Sequence, residues 1–133
     1  MKKAIIVAIL LPFLFISLQS CKKEAGSGGS SSIYGKVKVK DYNDTFTTLL
    51  EEYYAQDVDV FIVYGDDKSY SDHNRTGYDG TYEFKYLRPG DYKIYVYSKD
   101  SSLQTNAMIP IIKEVTISKN KEEVEVPEIS IFD

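Results

Sequence analysis

The feature that most constrains the fold is a period of two in side-chain polarity. In residues 57–64, apolar side chains occupy Val58, Val60 and Ile62, with acidic residues at the alternate positions 57 and 59. Similar alternation recurs in residues 33–40, 80–87, 91–98, 111–118 and 123–132. Successive side chains of a strand point to opposite faces, so this pattern predicts half-buried β-strands. No long segment shows the 3.6-residue period of an amphipathic helix.

Turn residues separate these segments. Asp79-Gly80 and Pro89-Gly90 combine residue types that preset a turn or tolerate positive φ. The chain has 12 Tyr, 6 Phe and no Trp, and tyrosine is favoured on pleated strands. Together these observations predict an all-β fold, a small antiparallel β-sandwich of about seven strands.

Two segments depart from regular alternation. The phase slips by one residue at Pro127-Glu128, which indicates a bulge or an edge strand, because proline cannot donate to a ladder. Residues 44–56 form an insertion between the first two strands, and Leu49-Leu50-Glu51-Glu52-Tyr53-Tyr54 could make one or two helical turns there. Thr47 or Thr48 ahead of Glu51 would cap such a helix.

The first 20 residues have the pattern of a signal peptide. Lys2 and Lys3 precede residues 4–18, which carry no charge. This apolar run is shorter than the about 20 residues of a membrane-spanning helix, and Pro12 interrupts it. We therefore expect residues 1–20 to be removed after export.

Leu18-Gln19-Ser20-Cys21 resembles the lipobox of bacterial lipoproteins. The resemblance implies that Cys21 carries a diacylglycerol and an acylated amino terminus, and that the protein has no free thiol. The alternative is an ordinary secretory signal with an incidental cysteine. Acyl chains contribute about 0.8 kcal/mol per buried methylene. We therefore expect a membrane partner through the Cys21 lipid, in the cell envelope and at the periplasmic or surface face of the outer membrane.

The remaining chain divides into a linker and one domain. Residues 21–32 include a Gly/Ser-rich run, Gly26-Ser27-Gly28-Gly29-Ser30-Ser31-Ser32, which is typical of a flexible tether. The predicted β-sandwich domain spans residues 33–133. From Ile33 onward there are 12 Lys and Arg against 19 Asp and Glu, a net charge of −7. Nucleic-acid binding needs a basic surface, so this charge argues against such a partner.

A family resemblance lies within residues 76–94. The order of Thr76, Asp79-Gly80, Tyr82, Leu87 and Pro89-Gly90 resembles the core of carboxypeptidase regulatory-like and collagen-adhesin B-type modules. Those modules are prealbumin-like sandwiches. The resemblance implies a non-catalytic structural or interaction module, with a carbohydrate- or protein-binding accessory role as the alternative.

No residue pattern predicts catalysis, a metal or a cofactor. His73 is the one histidine, and Ser71, Asp72 and His73 are too close along the chain to set triad geometry. A solvated loop histidine is the preferred interpretation. Five aspartates in predicted loops are candidate calcium ligands: Asp41, Asp44, Asp66, Asp67 and Asp72. Their spacing matches no ordered ligand set, so solvated turn aspartates are favoured.

Some collagen-adhesin B-type modules join their first and last strands by a Lys–Asn isopeptide bond. Lys36, Lys38 or Lys40 could supply the amine here. The last predicted strand contains no asparagine, and Asn120 lies in the preceding turn. This departure from the family pattern argues against the cross-link.

Two predicted strands, residues 57–64 and 91–98, carry apolar side chains at both odd and even positions, and therefore on both faces. If Val58, Val60 and Ile62 face the core, then four other side chains point outward: Phe61, Val63, Tyr95 and Tyr97. Such a patch is a possible binding surface for a protein or glycan partner. The alternative, which we favour from the sequence, is that the insertion at 44–56 covers these four side chains.

Overall fold

The computed structural model describes residues 24–104 and 106–133, and these form nine β-strands. The predicted signal peptide and Cys21 lie outside this range. The strands are β1 Ser27–Tyr42, β2 Leu49–Tyr54, β3 Asp59–Tyr64, β4 Asp72–Arg75, β5 Thr81–Leu87, β6 Gly90–Ser98, β7 Ile109–Ile117, β8 Glu123–Glu125 and β9 Ile129–Phe132. Within the described part of the chain, no helix is long and apolar enough to cross a membrane.

The strands form two sheets that enclose one core. The first sheet contains β2, β1 and β5, with β8 and β9 also paired to β1, and the second has the order β4-β3-β6-β7. Side chains from both sheets meet in a single buried cluster that includes Ile33, Val37, Ile62, Tyr82 and Ile94. The predicted all-β, sandwich-like architecture is confirmed, with nine described strands in place of about seven. The prediction of a fully antiparallel sandwich is wrong for β8 and β9, which pair in parallel with β1.

Strand β1 joins the first sheet together. Residues 32–34 pair in parallel with β8 on one edge, while β5 runs antiparallel along the other edge of the same half. Further along, residues 37–40 pair in parallel with β9, and β2 lies antiparallel on the opposite edge. One strand thus supplies pairing partners to four others, and both of its edges are used along most of its length.

The predicted inward parities of β3 and β6 are correct. Val60 and Ile62 of β3 and Tyr92, Ile94 and Val96 of β6 are buried in the core. The slip at Pro127-Glu128 is also confirmed, because the register to β1 changes by one residue between Ile33↔Val124 and Val37↔Ile129. Alternation in the sequence therefore predicts correctly that these side chains of β3 and β6 are buried.

The helical interpretation of residues 44–56 is wrong, because Leu49–Tyr54 is strand β2. The end of β1 offers an unpaired edge there, and β2 satisfies it with the register Val39↔Tyr53. Asn43 closes the turn between the two strands, since its side-chain oxygen accepts hydrogen bonds from the amides of Thr47 (2.8 Å) and Thr48 (3.1 Å). Hydrogen bonding to the edge of β1 therefore stabilises a strand here more than the local helical tendency of Glu51-Glu52 stabilises a helix.

The flexible-tether interpretation is wrong for residues 27–32, which are the beginning of β1. Two of the small residues that suggested a linker, Gly29 and Ser31, are required for close packing. A Cβ at Gly29 would overlap the carbonyl oxygen of Leu87. Ser31 is buried, donates to the carbonyl of Lys119 (2.8 Å) and accepts from the amide of Glu122 (3.1 Å). The folded domain therefore begins near Ala25, not at Ile33.

A bulge changes the direction of one aromatic side chain. Tyr82 and Phe84 of β5 are buried, but the register to β1 then shifts, and Tyr86 adopts a positive φ of 59°. As a result Tyr86 is 72% exposed, while Leu87 enters the core. Simple alternation groups Tyr86 with Tyr82 and Phe84, and the bulge is the reason that it differs.

Two buried tyrosines have opposite hydrogen-bonding situations. The hydroxyl of Tyr92 accepts from the amide of Gly26 (2.8 Å) and donates to the carbonyl of Arg88. The hydroxyl of Tyr82 has no hydrogen-bond partner in the described part of the chain, and its ring packs against Gly35. Burial raises the pKa of both hydroxyls, so both stay protonated at neutral pH.

The same substitution at these two positions should have different effects on stability. Tyr92→Phe leaves the buried amide of Gly26 unpaired and should lower the free energy of unfolding by about 1–3 kcal/mol. Tyr82→Phe removes a buried hydroxyl without a partner and should leave stability unchanged or raise it. Urea denaturation of both variants checks this expectation. A loss at Tyr82 as large as that at Tyr92 would contradict the absence of a partner for the Tyr82 hydroxyl among the described residues, and no loss at Tyr92 would contradict the hydrogen bonding described for it.

Candidate functional site

Five ring side chains cluster on the outer face of the second sheet, and we call this cluster the aromatic platform: Phe61, Tyr70, His73, Tyr95 and Tyr97. Strands β3 and β6 place Phe61 opposite Tyr95, and strand β4 places His73 opposite Phe61 on its other side. Because Val60 and Ile62 face the core, Phe61 between them must face away from it.

Phe61 is the centre of the platform. Its ring stacks on Tyr95 with centroids 5.0 Å apart and planes inclined by 15°. Tyr97 meets Phe61 edge-on at 5.7 Å, and Tyr70 lies 5.1 Å away. His73 is 6.1 Å from Phe61 and 5.9 Å from Tyr70. These separations are those of favourable aromatic pairs, so the rings hold one another in place.

The platform is open to solvent. Tyr70, His73 and Tyr97 are exposed, and Phe61 and Tyr95 are half-buried against their neighbours. The insertion predicted to cover this face does not do so, because β2 pairs with β1 in the first sheet. That preferred interpretation is therefore wrong. Val63 is only 8% exposed, so the structure separates it from the three other predicted surface residues.

The platform has polar groups at its margins. Arg75 and Asp59 form an ion pair of 3.2 Å next to it, with both side chains substantially exposed. Burial and the neighbouring Tyr97 raise the pKa of Tyr95, so its hydroxyl remains a neutral hydrogen-bond donor over the physiological range. The surface therefore combines apolar ring faces with hydroxyl, imidazole and charged groups.

Sequence reasoning found three of these rings and missed two. Tyr70 lies in the β3–β4 connection, and His73 lies in strand β4, where the sequence predicts a polar loop. Strand β4 is only four residues long and fully exposed, so it has no apolar alternation to reveal it. The ring contacts of His73 follow from pairing with β3, a non-local interaction.

The structure uses Ser71, Asp72 and His73 in separate interactions. Ser71 donates to Asp67 (2.9 Å) and accepts from the amide of Tyr64 (3.0 Å). The carboxylate of Asp72 accepts from the backbone amide of His73 (2.8 Å). The imidazole of His73 faces Phe61 and Tyr70. These contacts do not form the nucleophile–base–orienter chain of a triad.

The other side chains considered from the sequence also have ordinary structural contacts. Lys38 pairs with Glu128 (3.7 Å) and Lys40 with Glu52 (3.8 Å), while the ammonium of Lys36 lies 4.7 Å from the ring centre of Tyr54. In the described ranges, no three His, Cys, Asp or Glu side chains are grouped so that they could hold a metal ion.

Two adjoining cavities lie beyond Tyr97, at the end of the sandwich where β1 finishes, and we call them together the distal groove. The first, about 200 Å³, is lined by residues that include Tyr53, Val58, Tyr97 and Met108. The second, about 270 Å³, is lined by residues that include Asp44, Phe46, Asn106 and Met108. Phe46 is held there by edge-on contact with Phe132, with centroids 6.1 Å apart.

A scan against protein-family models finds no match, and a search of curated proteins finds none either. Among solved structures, the chain is similar to a protein from Pseudomonas aeruginosa for which carbohydrate binding has been suggested. The two are 12% identical, the match covers 82% of this chain and 92% of the other, and the TM-score is 0.49. At this level of similarity, neither the fold nor the function of that protein is transferred to this chain.

Tyr97 lies on the open platform, whereas Val63 is buried beside it. Alanine substitutions at these two positions should therefore cost different amounts of stability. Tyr97→Ala removes a ring that is 43% exposed and should lower the free energy of unfolding by less than about 1.5 kcal/mol. Val63→Ala removes methyl groups from a buried site and should cost about 1–3 kcal/mol. Chemical denaturation with circular dichroism measures both. Unfolding of the Tyr97→Ala protein would show that this face belongs to the core.

Proposed function

We propose that this protein is an exported lipoprotein of the cell envelope whose β-sandwich is a non-catalytic interaction module, and that the aromatic platform is its contact surface. The observation that supports this function best is the uncovered five-ring cluster on a rigid sheet. The resemblance of residues 76–94 to prealbumin-like modules of exported proteins favours the same class. The ligand is a glycan or a protein outside the membrane.

The physical case for binding rests on the exposure of the rings. Aromatic side chains bury 150–250 Å² each when covered, and they lose few rotamers on binding. The stacked pair Phe61 and Tyr95 is already held in place by its neighbours, so a ligand would gain contact area with little ordering cost. Hydroxyl groups at the margin supply the hydrogen bonds that determine orientation.

The proposed anchor places the domain close to the membrane. Glu24 follows Cys21 by three residues, and a fully extended chain spans about 3.3–3.6 Å per residue. Folded structure is present by Gly26, because its amide donates a hydrogen bond to the hydroxyl of Tyr92. A lipid on Cys21 would therefore hold the Ser27 end of β1, six residues further along the chain, within roughly 20 Å of the membrane surface. The Tyr42 end, with the distal groove, would face away from the membrane.

Anchoring can be tested at the cysteine. Cys21→Ser should prevent acylation, since serine offers no thiol for the diacylglycerol, and should move the protein from the membrane fraction to the soluble fraction. Mass spectrometry of the wild-type protein from its own host should find a mature chain that begins at an acylated Cys21. A membrane-bound protein that retains Met1 and carries no acyl group would contradict the proposal.

The contact surface can be tested with a matched pair of variants. Tyr95→Ala combined with Tyr97→Ala should leave the circular dichroism spectrum unchanged and reduce retention on envelope glycan or envelope protein by at least about tenfold, equivalent to 1.4 kcal/mol. Tyr78→Ala is the control, because Tyr78 is 84% exposed in a turn outside the platform. If both proteins are retained as the wild type is, the platform is not the contact surface.

A further inference from the structure

We infer that the ligand of this module is an elongated, electrically neutral glycan, which lies across the aromatic platform and continues over Tyr97 into the distal groove. This inference rests on the proposed function and deepens it, since it names the ligand class and a second contact region. It is carried by the continuity of the two surfaces, the size of the two cavities and the charge around them.

The platform and the groove meet at one side chain. Tyr97 contacts Phe61 and Tyr95 within the platform, with centroids 5.7 and 5.6 Å apart. The same residue lines the first cavity of the groove. Met108 and Asp133 line both cavities, so the second cavity lies next to the first. Tyr97, Met108 and Asp133 therefore link the platform to the cavity that contains Phe46, and we take this line as the path of the ligand.

The size of the cavities favours a chain over a compact ligand. At about 200 and 270 Å³, each is smaller than the roughly 300–1,000 Å³ of a cleft that encloses a whole drug-sized molecule. Each can take one ring of a polymer. Successive sugar rings would then occupy the platform, the first cavity and the second cavity in turn.

The groove has the two kinds of group that a sugar needs. Phe46 presents an apolar ring to the carbon–hydrogen face of a pyranose. The carboxylate of Asp44 and the amide of Asn106 line the same cavity and can bond to hydroxyl groups. The platform repeats this combination, with stacked rings beside tyrosine hydroxyls.

Charge argues for a neutral chain. Asp44, Asp100 and Asp133 line the second cavity, and Lys99, its one lining cation among the described residues, is paired with Asp133 at 3.0 Å. The surrounding domain has a net charge of −7 from Ile33 onward. A polymer of uronic acids or sulfated sugars would be repelled by this field. Neutral hydroxyl groups would not be.

The location of the rings makes an extended peptide the weaker choice. Peptides that bind to sheets usually add a strand at an unpaired edge, where backbone groups are available. The centre of the platform lies instead on the face of β3 and β6, which are the two inner strands of the second sheet. Contact there is made by side chains, as sugar stacking requires.

The experiment uses neutral gluco-, xylo- and manno-oligosaccharides of one to eight units, titrated into the mature domain by calorimetry. In the series that binds, affinity should rise by at least about tenfold between two and six units and then level off, as successive sites fill. Phe46→Ala should abolish that rise while short chains still bind. Because Phe46 also packs on Phe132, Met108→Ala, at an exposed position, is the second groove variant and should reduce the rise.

The possible failures are distinguishable. If affinity is independent of oligosaccharide length, or if neither groove variant reduces the increase of affinity with length, the inference is overturned. The platform can still be the contact surface in that case. If only uronic-acid polymers, or only an envelope protein, depend on Tyr95 and Tyr97, the neutral-glycan assignment is overturned and the proposed function is supported. If no envelope glycan or protein depends on the platform tyrosines, the proposed function itself fails.

Discussion

The structure depends above all on strand β1, because four other strands hydrogen-bond to it and the first sheet has no other continuous element. Pairing on both edges imposes a steric condition. Neighbouring backbone and side chains approach β1 so closely that glycine is needed at Gly29, against Leu87, and at Gly35, where a Cβ would lie 2.6 Å from the hydroxyl oxygen of Tyr82. The Gly/Ser run is therefore part of the packing of the sandwich, and Tyr92 extends this packing to Gly26.

This condition links the fold to the proposed function. Because folded structure begins three or four residues after Cys21, the position of a lipid anchor also sets which end of the sandwich lies at the membrane. The platform lies on the side of the sandwich and the distal groove lies at the end that would face away. A long tether would leave the orientation of the domain undetermined, whereas a short connection to a rigid strand restricts it.

The sequence predicted the inward residues well, because alternation is a local property and the core follows it at Val60, Ile62, Ile94 and Val96. Prediction from the sequence failed where tertiary contacts determine the secondary structure. Residues 27–32 have the composition of a linker, and only the backbone of Leu87 and the loop at Glu122 make them a strand. Likewise, pairing with β1 makes β2 a strand. In the candidate site, Phe61, Tyr95 and Tyr97 were predicted from parity, but Tyr70 and His73 join them through pairing and loop conformation that no local pattern shows.

The central claim is that the Gly/Ser segment is folded as the first part of β1, and hydrogen exchange of the Ser32 amide tests it most directly. This amide donates to the carbonyl of Glu122 at 2.9 Å, and the amide of Val37, further along the same strand, donates to Gly80 at the same distance. Exchange measured by NMR on the domain beginning at Cys21 should show protection at Ser32 comparable to that at Val37. Exchange at Ser32 as fast as in an unfolded peptide, with Val37 still protected, would contradict the account, because residues 27–32 would then be a tether and the anchor would no longer set the orientation of the domain.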